Sequence, residues 1–394
     1  MSGRHPNIDD NDPMVNNIIH TLLVTSDRLQ AIPVIGVGLF LLLVTTVTYA
    51  SWLIRADTAP ATIAAGLMLL AAAGDWLSLW LLPRVGRSFG PDRPPTLALT
   101  AARGLLMVVL GLFGAPLWLV AMLMVGLSGV VIYSTWIAPF NLGVTNEQLH
   151  TARLNAGASP LRVLHIGDLH LERITARERR LNALIQSLAP DLIVFSGDFV
   201  NISYADDPQA EAEIREIISE WQAPLGVYCV QGTYTVESRA RVQVFTTGLD
   251  NLRLLDDDWV PLQTQSGMVY VLGMTTTHRL PQDQATVKRL AADAPPDAFK
   301  LVVTHAPDVI PEADEAGYDL YVCGHTHGGQ LRFPFIGAVF SGSALGMEYV
   351  MGRYDLNHLT AYTSRGVGLE GMGAPRARFL CPPEIIMWEI HGTA

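Results

Sequence analysis

Four short strings carry the residue types from which a divalent-metal centre is built: Gly167-Asp168-Leu169-His170, Gly197-Asp198, Thr304-His305 and Gly324-His325-Thr326-His327-Gly328-Gly329-Gln330. Together they supply two aspartates and four histidines, and each string follows a short apolar run that reads as a buried strand. Hard carboxylate oxygen and borderline imidazole nitrogen on rigid strand ends suit Mn, Fe or Zn. Asp168 and His170, like His325 and His327, stand at i and i+2. In extended chain those side chains point the same way and reach one ion. Asp198 can bridge two ions with its two oxygens, and Gly324, Gly328 and Gly329 let the backbone approach closely. Two ions about 3.5–4 Å apart that share a water would generate a hydroxide nucleophile and clamp phosphoryl oxygens. The chain has no His-Glu-x-x-His string, which sets zinc-dependent proteolysis aside.

The runs that must position these residues are Leu161–Ile166, Leu192–Phe195, Val227–Val230, Val269–Leu272, Leu301–Val303 and Leu320–Val322. Amphipathic stretches such as Ala176–Leu188 and Pro208–Trp221 fall between several of them, so strands and helices alternate in a layered α/β domain over residues 150–394. The later runs Leu359–Tyr362 and Ile385–Ile390 lack intervening helices, which predicts antiparallel pairing for part of the sheet.

Upstream the composition changes. Residues 1–30 read as a polar tail with a possible interfacial helix over Asn16–Leu29, and residues 31–140 as four transmembrane helices. The apolar runs are Ala31–Ile54, Ala61–Leu82, Leu97–Ala115 and Leu117–Ala138. A cleaved signal peptide does not fit, because the first run starts late and three more follow. Four spans put Arg4, Arg28, Arg84, Arg87, Arg93, Arg153 and Arg162 on one side and only Arg55 on the other, so the positive-inside rule predicts a multi-pass membrane protein with a cytoplasmic soluble domain. Asp75, inside the second run, reads either as a proton or ligand site or as a residue turned inward and paired with Arg103. A net charge of −11 argues against a nucleic-acid partner. Cys229, Cys323 and Cys381 are odd in number, far apart and set in apolar runs, which predicts buried free thiols.

The series Gly-Asp-x-His, Gly-Asp, lone His and Gly-His-x-His resembles the calcineurin-like metallophosphoesterases. Gly324–Gln330, Thr363-Ser364-Arg365-Gly366-Val367-Gly368 and Cys381-Pro382-Pro383-Glu384-Ile385 resemble the bacterial branch with membrane-attached phosphodiesterases. The resemblance spans roughly Leu161 to His391. It implies a four-layer sandwich, two mixed sheets flanked by helices, and two divalent ions. By similarity Asp168, His170, Asp198 and His327 would hold the first, and Asp198, His305 and His325 the second. The family's remaining ligand and its phosphate-assisting histidine come from Gly-Asn-His, but here Gly226-Val227-Tyr228-Cys229-Val230-Gln231 leads into Gly232-Thr233-Tyr234. Thr233 then stands as the remaining ligand and Tyr234, with His325, as the catalytic candidate. A hydroxyl is a poorer ligand than an amide carbonyl, and a phenol a weaker acid than imidazolium, so the second site is expected to be weakened.

His165 has the wrong parity for the metal and reads as a core or supporting residue. His278 reads as a surface-loop residue or a substrate contact, and Arg365, flanked by glycine, as a partner for a phosphate or for a ligand carboxylate. The resulting expectation is a membrane-tethered metal-dependent phosphodiesterase or pyrophosphatase. Its substrate would be a phosphorylated small molecule or a lipid, such as a phospholipid, a nucleotide-linked lipid like UDP-diacylglucosamine, or a polyprenyl diphosphate. The rival is a catalytically weakened domain that binds a phosphorylated ligand and signals through the helices.

Overall fold

The computed structural model describes residues 25–394. The expected tail and the beginning of the Asn16–Leu29 segment lie outside the described residues. The chain folds as two compact units. Among the described residues, one comprises 25–137 together with Glu370–Ala377, the other Ala138–Leu369 with Arg378–Ala394.

The helical unit contains α1 (Val34–Trp52), α2 (Thr58–Leu81), α3 (Arg93–Leu112) and α4 (Leu117–Ile132). Short 3-10 and π turns carry the second helix on to Val85 and the fourth to Phe140, and all four are long and apolar enough to cross a membrane. Proline precedes α1 and α4, fixing φ where the helix starts. Gly114, at φ 67°, makes the tight turn between α3 and α4. Ile35, Leu70, Leu105 and Val125 point outward, so the helices are apolar outside as well as inside. That distribution suits lipid better than water. On the inner face of α3, a Cβ at Gly104 would strike Val44 and one at Gly111 would strike Trp52, both on α1. Small residues at this crossing let the two backbones approach.

Asp75 and Arg103 settle as partners. Arg103 Nε donates to Asp75 Oδ2 at 2.8 Å, Ser128 Oγ donates to Asp75 Oδ1 at 2.9 Å, and Arg103 Nη1 donates to the Met124 carbonyl at 3.2 Å. The network joins α2, α3 and α4 and pairs both buried charges, the condition under which they are tolerated in an apolar bundle.

The second unit is a four-layer sandwich. One mixed sheet has the order β1-β14-β2-β3-β4-β5, built from β1 (Gly143–Thr151), β2 (Leu161–Ile166), β3 (Leu192–Phe195), β4 (Val227–Cys229), β5 (Leu252–Leu254) and β14 (Glu384–Gly392). The other has the order β12-β13-β9-β8-β7-β6, built from β6 (Asp258–Thr264), β7 (Gly267–Met274), β8 (Phe299–Thr304), β9 (Leu320–Cys323), β12 (Gly352–Asp355) and β13 (Thr360–Thr363). A hairpin, β10 (Arg332–Phe333) with β11 (Gly337–Ala338), stands apart. The period of two sorts the side chains. Leu161, Val163, Leu192, Val194, Leu301 and Val303 pack between the sheets. Leu164, Ile166, Ile193 and Phe195 face α5 (Ala176–Leu188), α6 (Pro208–Ser219) and α7 (Arg239–Thr246), while Leu272 and Val302 face α8 (Leu280–Asp293) and α9 (Ile310–Glu315). β2, β3, β4 and β5 run parallel, and β14 pairs antiparallel with β2, as the missing helices predicted. α5 starts on a capping box between Thr175 and Glu178, and α6 on Asp207, whose side chain accepts from Gln209 N and Ala210 N. The three cysteines are buried and free.

Candidate metal centre

The ligand candidates leave the C-terminal ends of neighbouring parallel strands. Asp168 and His170 follow β2, Asp198 follows β3, Thr233 follows β4, His305 follows β8, and His325 and His327 follow β9. The i, i+2 spacing does place Asp168 and His170 in one group, but His325 and His327 turn to different groups, and neither pair owes its geometry to extended chain. None of Asp168, His170, Asp198, His325 or His327 is extended: their φ angles are 49°, 40°, 59°, 71° and 50°. Left-handed turns at non-glycine residues are costly and gather at functional sites, where surrounding structure enforces them. Glycines make the turns possible. A Cβ on Gly324 would lie 2.6 Å from the Asp168 carboxylate, and one on Gly232 would lie 2.0 Å from Asp198 Oδ1.

Two groups result, Asp168 with His170 and His327, and Asp198 with His305 and His325; within each, the ligand atoms lie within 4.8 Å of one another and all are buried. Asp198 joins them. Its Oδ2 is 3.2 Å from His170 Nε2 and 3.2 Å from His305 Nε2, one in each group. Thr233 closes the second group: its N–H donates to Asp198 Oδ1 at 2.7 Å and its hydroxyl lies 3.2 Å from His305 Nε2.

The donor set fits divalent cations. His305 Nδ1 donates to the Ser196 carbonyl at 2.9 Å and His325 Nε2 faces the Gly342 carbonyl at 3.3 Å. Carbonyls only accept, so the opposite nitrogens, His305 Nε2 and His325 Nδ1, are the ones turned inward, 3.1 Å apart. His327 Nε2 and His170 Nε2 face each other at 2.9 Å. Such pairs need a cation or a proton between lone pairs. Asp168 Oδ2 is buried with no hydrogen-bond partner among the described residues.

The titration behaviour follows from the same crowding. Burial raises the Asp168 carboxyl to about 6, against the pull of His305. Burial also opposes ionisation of Asp198, but the charges of His305 and His170 and their hydrogen bonds outweigh it and hold this carboxyl well below its usual range. His305 is raised to about 9 despite burial, by Asp198 and Asp168. Its proton marks a place where positive charge is stabilised. Burial, then the charge of His305, lowers His325 to about 3; burial, His170 and Arg378 hold His327 far down as well. Neutral imidazole is the form that ligates metal.

The other sequence candidates divide. His278 reaches the centre: its ring is 5.0 Å from that of His325, its Nδ1 is 3.9 Å from Asp308 Oδ2, and its buried Nε2 has no partner among the described residues. Arg365 is paired with a carboxylate of the protein, its Nη2 donating to Glu384, whose other oxygen accepts Arg365 N at 3.1 Å. Tyr234 is half exposed, at 50%. His165 is buried, 3.1 Å from Ser196 Oγ, and burial lowers it to about 3.

Two supporting ionisable side chains escape sequence reasoning. Glu237 is fully buried and accepts Val200 N at 2.7 Å and Gly232 N at 3.2 Å, fastening the Asp198 loop to the Thr233 loop. Arg378, also fully buried, donates to the carbonyls of Arg365 and Gly368 at 2.8 and 2.6 Å. The only local signal for Glu237 is an acid three residues beyond an aromatic in a short loop, and for Arg378 there is none.

Residues 161–329 match the family model for the calcineurin-like phosphoesterases. The chain is similar to an uncharacterized metallophosphoesterase, YkuE, of Bacillus subtilis (24% identity over 274 residues, 66% of this chain and 90% of the relative). It is similar to the UDP-2,3-diacylglucosamine pyrophosphatase LpxG of Chlamydia trachomatis (24% over 307 residues, 65% and 91%) and to the phosphodiesterase YaeI of Escherichia coli (27% over 246 residues, 59% and 83%).

Proposed function

We propose that this chain, which belongs to the calcineurin-like phosphoesterases and is a hydrolase of phosphoester bonds, is a membrane-tethered phosphodiesterase or pyrophosphatase acting on a lipid-linked phosphate. The observation that carries a two-metal reading is Asp198 Oδ2, equidistant from a histidine of each group. Asp168, His170, Asp198 and His327 would hold one divalent ion, and Asp198, Thr233, His305 and His325 the other, with Mn, Fe or Zn favoured by the donors. When bound, such ions supply a hydroxide nucleophile at neutral pH and neutralise phosphoryl oxygens. The protein's own residues do the rest. Ser196 and Gly342 fix the orientation of His305 and His325 through their outer nitrogens. His278 Nε2 offers an unpaired polar atom beside His325 to a phosphoryl oxygen, and Tyr234 offers a hydroxyl at the exposed side.

The lipid link is supported by the four apolar helices and by the chlamydial relative, a pyrophosphatase named for a diacylated nucleotide sugar. The altered Thr233-Tyr234 favours the second reading, a weakened domain that binds a phosphorylated ligand and signals through the helices. Turnover of bis(p-nitrophenyl) phosphate by the metal-loaded full chain in detergent decides between them. Metal-dependent hydrolysis supports the enzyme, whereas full metal content with no turnover of any phosphoester supports the binding domain. In the same preparation His278→Ala should keep its metal and weaken inorganic phosphate binding by about tenfold, the scale of a lost hydrogen bond to a charged group. Unaltered phosphate affinity would remove His278 from the site.

The arginine asymmetry supports a cytoplasmic soluble domain. A cysteine introduced in the loop of residues 86–92 should resist an impermeant maleimide in intact cells and react after lysis. Reaction in intact cells would reverse the orientation.

A further inference from the structure

The hairpin of β10 and β11 rises from the metal centre. Its first foot is His327–Gln330, and its second is Gly342, whose carbonyl lies 3.3 Å from His325 Nε2. Beyond that foot Ser343 Oγ and Ala344 N donate to Asp308 Oδ1 at 2.6 and 3.0 Å. Gly329 seats the hairpin: a Cβ there would lie 2.4 Å from that of Ala338. Both feet are therefore tied to the Gly-His-x-His string.

Between the feet the sequence is Leu-Arg-Phe-Pro-Phe-Ile-Gly-Ala-Val-Phe, with Arg332 its one charge. Arg332 stays at the base, donating to the Gly328 carbonyl at 3.0 Å. The tip points its apolar side chains into solvent. Phe335 is fully exposed, Ile336 is 73% exposed and Val339 60%, and Phe333 is exposed as well. Leu380 extends the surface beside Phe379, whose ring is 6.4 Å from that of Phe333. The remaining exposed large apolar side chains of this unit, among the described residues, are Tyr234, Val244, Met268 and Met347, on separate segments. Scattered residues of that kind need no partner, but four on one hairpin, with Leu380 beside them, mark a contact surface.

The occupant follows from the rest of the chain. Four helices present apolar exteriors, and the last runs to Phe140 while β1 begins at Gly143. The domain is thus tethered within three residues of a span, and lipid is present at high effective concentration. An aromatic and aliphatic tip above a single arginine has the composition of an interfacial anchor.

We propose that the 331–340 hairpin dips into the bilayer interface and holds the rim of the metal centre at headgroup level. Its use in meeting a lipid-linked substrate rests on the function proposed above; the lipid contact itself does not. The test uses the full chain in phosphatidylcholine–phosphatidylglycerol nanodiscs, with a nitroxide attached to Phe335→Cys and, separately, to Ile336→Cys. Asp297→Cys, at an exposed polar position, serves as the reference. The native cysteines are buried and stay unlabelled. Power saturation should show the hairpin labels relaxed by oxygen and shielded from a water-soluble nickel chelate, the reverse of the reference. Nickel access equal to the reference at both positions would overturn the proposal. So would dipolar broadening that disappears on dilution with unlabelled chain, since it would identify a second copy as the partner. The readout needs no turnover, so failure of the phosphoesterase reading leaves this result interpretable.

Discussion

Asp198→Ala is expected to empty both halves of the metal centre at once and to abolish metal-dependent hydrolysis. Asp198 Oδ2 lies 3.2 Å from His170 Nε2 and from His305 Nε2, so one carboxylate oxygen serves both groups. Its Oδ1 accepts Thr233 N, and that bond seats the remaining ligand candidate of the second group. The substitution therefore removes the shared anion and frees the Thr233 loop together. Loss of a residue that merely supports a ligand costs about 10–100-fold in metal affinity or activity, so loss of a shared ligand should cost more than about 100-fold. Metal content by elemental analysis should fall for both ions. Thermal denaturation gives a second readout. A ligand at about a thousand times its Kd stabilises the native state by about 4 kcal/mol, so chelation should lower the wild-type melting temperature and leave that of Asp198→Ala nearly unchanged. A variant that keeps one full equivalent of metal would show that the groups are independent, and the bridging assignment would fall.

How much of this was legible without coordinates depends on where each residue's constraints come from. β2, β3, β8 and β9 read as strands because they are buried on both faces, which turns them into continuous apolar runs such as Leu161–Ile166. β1 gives no such signal. Gly-Val-Thr-Asn-Glu-Gln-Leu-His-Thr is an edge strand with Leu149 alone buried, and its order comes from parallel pairing with β14, more than two hundred residues away in the chain. The ligands themselves were legible because metal chemistry restricts residue type and because parallel strands deliver their C-terminal ends to one edge. Their backbone was not: extended geometry at Asp168 and His170 is replaced by left-handed turns that only the neighbouring glycine loops accommodate. Glu237 and Arg378 were illegible for a related reason. An ionisable group at zero exposure is tolerated only through partners, and those partners are backbone groups that the folded loops bring to it, Val200 and Gly232 for Glu237 and Arg365 and Gly368 for Arg378. Arg365 shows the converse: its glycine-flanked loop suggested a contact with a phosphate or a ligand carboxylate, and the group that takes it up, the protein's own Glu384, lies at the start of β14.

Thr233→Asn combined with Tyr234→His should strengthen the second metal site and raise turnover of bis(p-nitrophenyl) phosphate. Thr233 already stands where a ligand is wanted, its hydroxyl 3.2 Å from His305 Nε2 and 3.4 Å from Asp198 Oδ2. The hydroxyl is short and neutral, while an amide carbonyl extends one atom further and offers a stronger dipole to a hard cation. The loop cannot shift to compensate, because Gly232 leaves no room for even a Cβ against Asp198 and Glu237 pins Gly232 N. Tyr234 follows at the exposed side, so an imidazole there would meet solvent and substrate without entering the core. General acid–base assistance contributes about 10²–10⁴-fold, and partial recovery of at least about tenfold would be measurable. Titration of metal into chelated protein separates the two substitutions, since Thr233→Asn alone should tighten binding and Tyr234→His alone should act on turnover. A double variant with unchanged metal affinity and rate would mean that the loop geometry, rather than the side chains, limits the site. A slower double variant would overturn the reading of this loop as weakened and would assign Tyr234 a positive role, its phenol donating a hydrogen bond to the phosphoryl group.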